Sequence, residues 1–125
     1  MFSGIVQEYS KSVSKETKSY GISLSVGVSK KFTRGLKKGD SIAVNGVCLT
    51  VKRFNPEKVF FDVIHESLKL TNLDYLNLKV PVNLERSLKL GDEIGGHLVS
   101  GHIHAKGKVI SCLLYTSDAA DDVIS

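Results

Sequence analysis

The sequence is short of several residue types, and each shortage limits what the protein can be. Its 125 residues include no tryptophan, two prolines and two cysteines. Cys48 and Cys112 are too few and too far apart to build a disulfide framework or a paired-cysteine zinc site. No apolar run is long enough to span a bilayer, and the first residues lack the basic and apolar regions of a signal peptide. We therefore expect a cytoplasmic protein without a membrane partner.

The charge of the chain is positive and unevenly distributed. The formal net charge is +4, from 17 basic and 13 acidic side chains. Three of the acidic side chains lie in residues 112–125, which contain no lysine or arginine, so the preceding residues carry most of the positive charge. Such a charge suits an anionic ligand or simply solubility. Because the basic residues are not interleaved with aromatics, we do not expect nucleic acid as a partner.

Apolar and polar residues alternate with a period of two, which is typical of half-buried strands. Turn signals separate the alternating segments, and one of them, Asn45-Gly46, predicts a tight hairpin turn. We expect one helical turn within residues 29–36 and another within 67–73. Short strands at regular spacing predict a closed barrel or a sandwich. The strand candidates are residues 22–28, 47–51, 59–63 and 80–84.

The alternation at residues 47–51 predicts which side chains face outward. If Val47, Leu49 and Val51 fill the interior of a barrel, Cys48 and Thr50 point away from it. Cys48 is then either an apolar packing residue or a reactive thiol.

The same pattern applies to a later segment of the chain. With Val99 and Ile103 as core residues, Ser100, His102 and His104 face outward. Outward cysteine, threonine and histidine on neighbouring strands predict a shallow site on the barrel wall, which a second body would have to close.

Four segments, in order, carry patterns of one enzyme family. They are MFSGIVQ at residues 1–7, GDSIAVNGVCLTV at 39–51, DVIHESLKLTNL at 62–73, and VNLER at 82–86 leading into GGHLVSGHI at 95–103. Together they resemble the amino-terminal half of riboflavin synthase.

The resemblance implies an all-β fold, a six-stranded Greek-key closed barrel plus a fragment of a second barrel. Residues 1–90 would form the lumazine-binding barrel, and residues 91–111 the truncated start of a second lumazine-binding repeat. Residues 112–125 fit neither pattern and resemble translated library-adaptor sequence. We assign them as a non-native tail, with an acidic flexible terminus as the alternative.

The resemblance also implies an activity. Riboflavin synthase joins two molecules of 6,7-dimethyl-8-ribityllumazine by four-carbon transfer, giving riboflavin and a pyrimidinedione, without a metal or organic cofactor. The family's trimeric enzyme places its site between barrels of two subunits. We expect the present chain to keep ligand binding, to lack full activity and to dimerise through its uncovered wall. A non-catalytic lumazine- or flavin-binding protein is the alternative.

The family pattern assigns the site residue by residue. His102 is the candidate for moving the proton of the 7-methyl group, since histidine titrates near neutrality. Cys48 is the second catalytic candidate, as a nucleophile or a polarising contact. The substrate-binding candidates are Gly4, Ile5, Val6, Cys48, Leu49, Thr50, Asp62, Val63, Ile64, His65, Glu66, Ser67, Gly101, His102 and Ile103.

The chain departs from the family pattern at a few positions. Ser67 replaces the usual threonine, and Ile103 and His104 replace a valine and an aspartate. The serine and aspartate that the second barrel contributes to the family's site have no counterpart here. His97, His102 and His104 also permit a metal site, which would want a third or fourth firm ligand, and Asp92 or Glu93 could be nominated. Three nearby histidines on one short strand are not diagnostic, however, and the family uses no metal, so we predict no metal site.

Overall fold

The computed structural model describes residues 1–76 and 80–114, and it confirms the prediction of an all-β fold. Within these residues the chain forms eight strands, two short helices and a 3₁₀ turn at Leu73–Tyr75. The helices are α1 at Lys30–Thr33 and α2 at His65–Leu70. The strands are β1 at Glu8–Ser10, β2 at Val13–Lys18, β3 at Gly21–Gly27, β4 at Ser41–Val44, β5 at Val47–Thr50, β6 at Arg53–Asn55, β7 at Lys58–Ile64 and β8 at Val82–Arg86.

The strands form two antiparallel sheets, ordered β1-β8-β4-β5 and β2-β3-β7-β6. The chain crosses from one sheet to the other after β1, β3, β5 and β7. The crossings from β1 to β2 and from β5 to β6 take only two residues each, and backbone bonding continues at both of these short crossings. Gly27 N–H donates to the Ser12 carbonyl at 2.7 Å, and Lys52 N–H donates to the Phe60 carbonyl at 2.9 Å.

The core is built from the inward residues of the alternating strands, as the sequence predicts. On β3, Ile22, Leu24 and Val26 are buried while the serines between them are only partly covered. Burial of each such side chain contributes about 1.5–3 kcal/mol of hydrophobic stabilisation. Buried members from the other predicted strands are Val47, Leu49, Val51, Val59, Phe61, Val63, Val82 and Leu84.

A tight turn joins β4 and β5 at the predicted position. Asn45 and Gly46 both have positive φ, 50° and 79°, which is the conformation of a type I′ hairpin turn. The Asn45 side chain also accepts the Asn83 backbone N–H at 2.8 Å. The turn is thereby tied to the neighbouring strand β8.

The two helices agree with the predicted segments, although α2 begins earlier than expected. Ser29 caps α1, with its Oγ accepting the Phe32 N–H at 3.2 Å. Helix α2 begins at His65, directly after β7. It ends at Leu70 because Thr71 Oγ1 donates to the Ser67 carbonyl at 2.8 Å and accepts the Leu73 N–H at 3.3 Å. Both bonds turn the chain into the 3₁₀ segment.

Beyond β8, the described residues contain no further helix or strand, apart from an isolated antiparallel bridge between Phe2 and Val99. The prediction that Val99 is a core residue is wrong, since its side chain is 44% exposed. Phe2, only 1% exposed, takes the buried place beside it. Ile103 is half-buried and packs against the core. The predicted tail lies largely outside the described residues, and residues 112–114 are exposed.

Candidate ligand-binding site

Five of the predicted site residues surround one cavity on the outer wall. Its volume is about 210 Å³. The segment after β8 closes one side of it, and α2 closes the other. The predicted residues that line it are Cys48, Ser67, Gly101, His102 and Ile103. Three residues that were not predicted, Val47, Leu70 and Thr71, complete the lining.

Gly101 fixes how the later segment lies against β5. Its carbonyl accepts the Cys48 N–H at 2.9 Å, and its φ of +79° belongs to the left-handed region that favours glycine. A Cβ at this position would lie 2.8 Å from Cys48 Cβ and 3.1 Å from the Phe2 ring. Only glycine permits this approach, which brings the next residue, His102, to the cavity that Cys48 lines.

A second cavity of about 250 Å³ adjoins the first through Gly101, which lines both. Gly4 and Val6 lie along its wall. The Ile5 side chain is 49% exposed. The predicted amino-terminal wall therefore lies next to the Cys48 and His102 wall.

Glu85 holds the amino-terminal wall in place, a role that the sequence did not reveal. Its side chain is 6% exposed. One carboxylate oxygen accepts the Ser3 N–H at 2.7 Å and the Ser3 hydroxyl at 3.1 Å, and the other accepts the Gly4 N–H at 3.1 Å. Backbone N–H groups bonded to a carboxylate form strong, charge-assisted bonds. In the sequence, the one indication of this role was that Glu85 is a charged residue directly after a predicted strand.

Two predicted site residues have their side chains in the core. Leu49 and Val63 are 6% and 1% exposed, so only their backbone groups can contribute to a wall site. Thr50 and Ile64, one position further along each strand, are exposed. The outward faces of β5 and β7 thus present Cys48 and Thr50 on one strand and Ile64 on the other.

Asp62 continues the outward face of β7 and is held by two side chains. The Tyr20 hydroxyl donates to Oδ1 at 2.5 Å, and Lys52 Nζ lies 3.0 Å from Oδ2. The Tyr20 hydrogen bond is the main reason that the pKa of Asp62 is lowered, and Lys52 lowers it further. The same bond raises the pKa of Tyr20.

The remaining two candidates begin α2 and are exposed to solvent. His65 Nε2 lies 3.1 Å from the Ser19 carbonyl, and Glu66 is exposed in the first turn of the helix. Neither lines the 210 Å³ cavity. The structure therefore brings Cys48, Ser67 and the Gly101–Ile103 segment together at this cavity, and His65 and Glu66 lie outside it.

Two broader features bear on ligands. In the part of the chain that the structure describes, no three histidine, cysteine, aspartate or glutamate side chains are grouped so that they would hold a metal ion. Neither helix there has the length and apolar character needed to cross a membrane.

Comparison with known proteins identifies relatives of the chain. A riboflavin synthase of Chlamydia pneumoniae is 46% identical over 109 residues, which are 87% of this chain and 54% of that protein. The riboflavin synthase of Escherichia coli (strain K12) is 44% identical over 113 residues, covering 90% and 53%. The chain thus spans about half the length of these relatives.

Comparison with solved structures finds similar chains as well. A crystal structure of LumP complexed with riboflavin matches with a TM-score of 0.74 and 28% identity, over 84% of this chain and 56% of that one. LumP complexed with 6,7-dimethyl-8-(1'-D-ribityl) lumazine matches with a TM-score of 0.73 and 27% identity, over 84% and 58%. The lumazine binding domain family matches residues 3–87. The chain therefore belongs to the lumazine-binding domain family and corresponds to the amino-terminal part of riboflavin synthase, as the four sequence segments predicted.

Proposed function

We propose that the chain is the amino-terminal lumazine-binding barrel of a riboflavin synthase. In the complete enzyme, two 6,7-dimethyl-8-ribityllumazine molecules would react by four-carbon transfer to give riboflavin and a pyrimidinedione. The observation that carries this proposal is the convergence of Cys48, Ser67 and the Gly101–Ile103 segment on one cavity, in a chain of the lumazine-binding family. These residues come from three separate sequence segments, and each segment belongs to the family pattern.

The ring system would lie against the wall formed by Cys48 and His102, with the Gly4–Val6 segment next to it. The Gly4 N–H and the Gly101 carbonyl are already bonded to Glu85 and Cys48. The other backbone groups of the Gly4–Val6 segment and of Gly101 suit a pteridine edge, because such an edge presents both donors and acceptors. The ribityl chain would run along the outward face of β7 toward Asp62. The polar ends of the exposed side chains there can bond hydroxyl groups.

His102 and Cys48 are the proposed catalytic residues. The reaction requires removal of a proton from the 7-methyl group of one lumazine and attack at C7 of the other. An exposed histidine at the cavity is suited to carry that proton. Cys48 is half-buried with a free thiol. It would polarise C7 of the attacked lumazine as a contact, or add to it as a thiolate and leave again with its bonding electrons before the carbon–carbon bond forms.

The two sheets would close into one six-stranded barrel. If β1 with β2, and β5 with β6, are each counted as one bent strand, every strand has two neighbours in the pairing order. The backbone bonds at Ser12 and Lys52 support this count, because they continue the pairing through both bends. The strand order that results is not sequential, as in a Greek key.

The isolated chain would bind lumazine without completing the reaction, since the site needs a second barrel. The test is to titrate the chain with 6,7-dimethyl-8-ribityllumazine, following its fluorescence for binding and separating the products for riboflavin. We expect saturable binding and at most slow riboflavin formation. Cys48→Ala should weaken binding, whereas Cys112→Ala, which removes an exposed thiol outside the site, should not. A wild-type chain that leaves the fluorescence unchanged contradicts the proposal.

A second candidate function is binding of lumazine or flavin without catalysis. The likeness to the LumP complexes with riboflavin and with the lumazine favours it. His102→Ala in a protein extended by the second barrel separates the two functions. In an enzyme, the substitution should lower turnover far more than it lowers lumazine affinity. In a carrier, there is no turnover before or after the substitution, and only lumazine affinity should change. Cytoplasmic location and homo-oligomer formation stay predictions.

A further inference from the structure

Asp62 is held from two sides by residues that the family pattern did not single out. Tyr20 lies in the turn before β3, and its hydroxyl is 2.5 Å from Asp62 Oδ1. Lys52 lies at the crossing between β5 and β6, and its Nζ is 3.2 Å from Oδ1 and 3.0 Å from Oδ2. Lys52 and Asp62 are 10 positions apart, and Tyr20 is 42 positions from Asp62. We name them the Asp62 cluster.

The Asp62 cluster lies at the far end of the same outward face that carries the cavity. Cys48, Thr50 and Lys52 alternate with the buried Leu49 and Val51. Four residue steps lead from Cys48 to Lys52, which corresponds to at most about 13 Å, because the chain leaves β5 for the crossing before it reaches Lys52. A ligand whose ring lies at Cys48 would therefore extend a side chain toward Lys52 and its partner.

The cluster is accessible and has unused bonding capacity. The Asp62 side chain is 37% exposed and that of Lys52 is 50% exposed. An ionised carboxylate has about four acceptor positions, of which the tyrosine and the lysine occupy only some. Hydroxyl groups of a polyol both donate and accept, so they can bond the carboxylate and its two partners together.

We infer that Tyr20 is a positioning residue that orients Asp62 toward the hydroxyl groups of the ribityl chain, and that it thereby makes the site selective for ligands carrying this chain. The inference rests on the proposed function, because it assumes that the ring lies at Cys48. A hydrogen bond from a tyrosine limits the rotation of the carboxylate before the ligand arrives. Such preorganisation improves affinity because less side-chain freedom is lost on binding.

The electrostatics agree with this geometry. The Tyr20 hydroxyl bonds the ionised form of Asp62 and lowers its pKa. A purely structural role is the competing explanation, but an ion pair as exposed as Asp62–Lys52 contributes little to stability. Selectivity and stability can be separated by experiment.

The experiment compares riboflavin with lumiflavin, which has the same ring system and a methyl group in place of the ribityl chain. Dissociation constants for both are measured by fluorescence titration of the 125-residue chain. The variants are Tyr20→Phe, Asp62→Ala and the double variant. Tyr9→Phe is the matched control, since Tyr9 is an exposed tyrosine on β1. Urea unfolding of each variant reports any loss of stability.

We expect Tyr20→Phe to raise the dissociation constant of riboflavin by about three- to tenfold, the range that loss of one hydrogen bond implies. The dissociation constant of lumiflavin should rise by less than about twofold. In the Asp62→Ala background, where the acceptor of the Tyr20 hydroxyl is removed, Tyr20→Phe should have no further effect on riboflavin binding, because the two residues act as one unit. Tyr9→Phe should change neither ligand.

Three results overturn the inference. Equal weakening of both flavins by Tyr20→Phe would mean that the residue acts on the ring or on the fold. An undiminished effect in the Asp62→Ala background would mean that Tyr20 does not act through Asp62. A wild-type chain that binds neither flavin contradicts the proposed function as well, whereas the first two results leave that function intact.

Discussion

Glu85→Gln is the substitution that tests most directly how the amino-terminal wall is held. The Glu85 carboxylate accepts three hydrogen bonds from Ser3 and Gly4 while almost fully buried. Glutamine keeps the shape of the side chain and replaces one acceptor oxygen by an NH₂ donor. The amide can turn so that its oxygen still faces the two Ser3 donors. The NH₂ group then faces the Gly4 N–H, and two donors oppose each other.

The cost follows from these contacts. One bond to a charged acceptor is lost, which costs about 1.5–3 kcal/mol, and the two remaining bonds become neutral and weaker. The lower desolvation cost of a neutral amide offsets part of this. We therefore expect Glu85→Gln to lower the free energy of unfolding by about 2–4 kcal/mol.

Urea unfolding followed by far-UV circular dichroism measures this loss, and hydrogen exchange locates it. The amides of Ser3 and Gly4 should lose protection first, because they are the donors. Glu57→Gln is the control. Glu57 is exposed, and its carboxylate lies as far as 3.9 Å from Lys30 Nζ, so the free energy of unfolding should fall by less than about 0.5 kcal/mol. A Glu85→Gln loss as small as that of the control would refute this account of the wall.

Three further predictions concern the site. Gly101→Ala places a Cβ 2.8 Å from Cys48 Cβ. We expect lumazine affinity, measured by fluorescence, to fall at least about tenfold. Gly107→Ala is the control, since a Cβ there meets nothing within 4 Å, and it should leave lumazine affinity unchanged. The pKa of Asp62 is lowered from 3.8, so its ionised form adds a small amount of stability above that pH and the contribution disappears as the pH falls through the lowered pKa. Urea unfolding from pH 6 down to about pH 2 should show Asp62→Asn slightly less stable at the upper end and equal to wild type at the lower end; a constant difference would contradict the assignment. His102→Ala should lower turnover of a two-barrel protein while His104→Ala does not, and equal losses in a steady-state assay would mean that neither residue is specific to the reaction.

The sequence predicts the parts of the fold that depend on local patterns. The period of two placed Leu24, Leu49 and Phe61 in the core correctly, because alternate side chains of a strand face opposite sides. The Asn45-Gly46 turn was predictable because few residue pairs adopt positive φ in succession.

The contacts that organise the site depend on long-range packing, and local patterns do not contain them. Glu85 breaks the alternation of β8, since it and Leu84 are both buried, and a charged residue in a strand is ordinarily expected to be exposed. Val99 was misplaced because its backbone partner, the buried Phe2, lies at the other end of the sequence, and no local pattern pairs the two. Tyr20 and Asp62 are 42 positions apart, and no spacing rule connects them.

The site walls are held chiefly by backbone contacts, and this affects how substitutions should be interpreted. Glu85 binds the backbone of Ser3 and Gly4, and the Gly101 carbonyl binds the backbone of Cys48. Each contact joins segments more than 50 positions apart, so the wall exists only when both the strands and the segment beyond β8 are in place. Substitutions at Glu85 and Gly101 should therefore weaken ligand binding without removing any group that touches the ligand. Side-chain substitutions at Cys48 and His102, by contrast, should alter the chemistry while the wall stays in place.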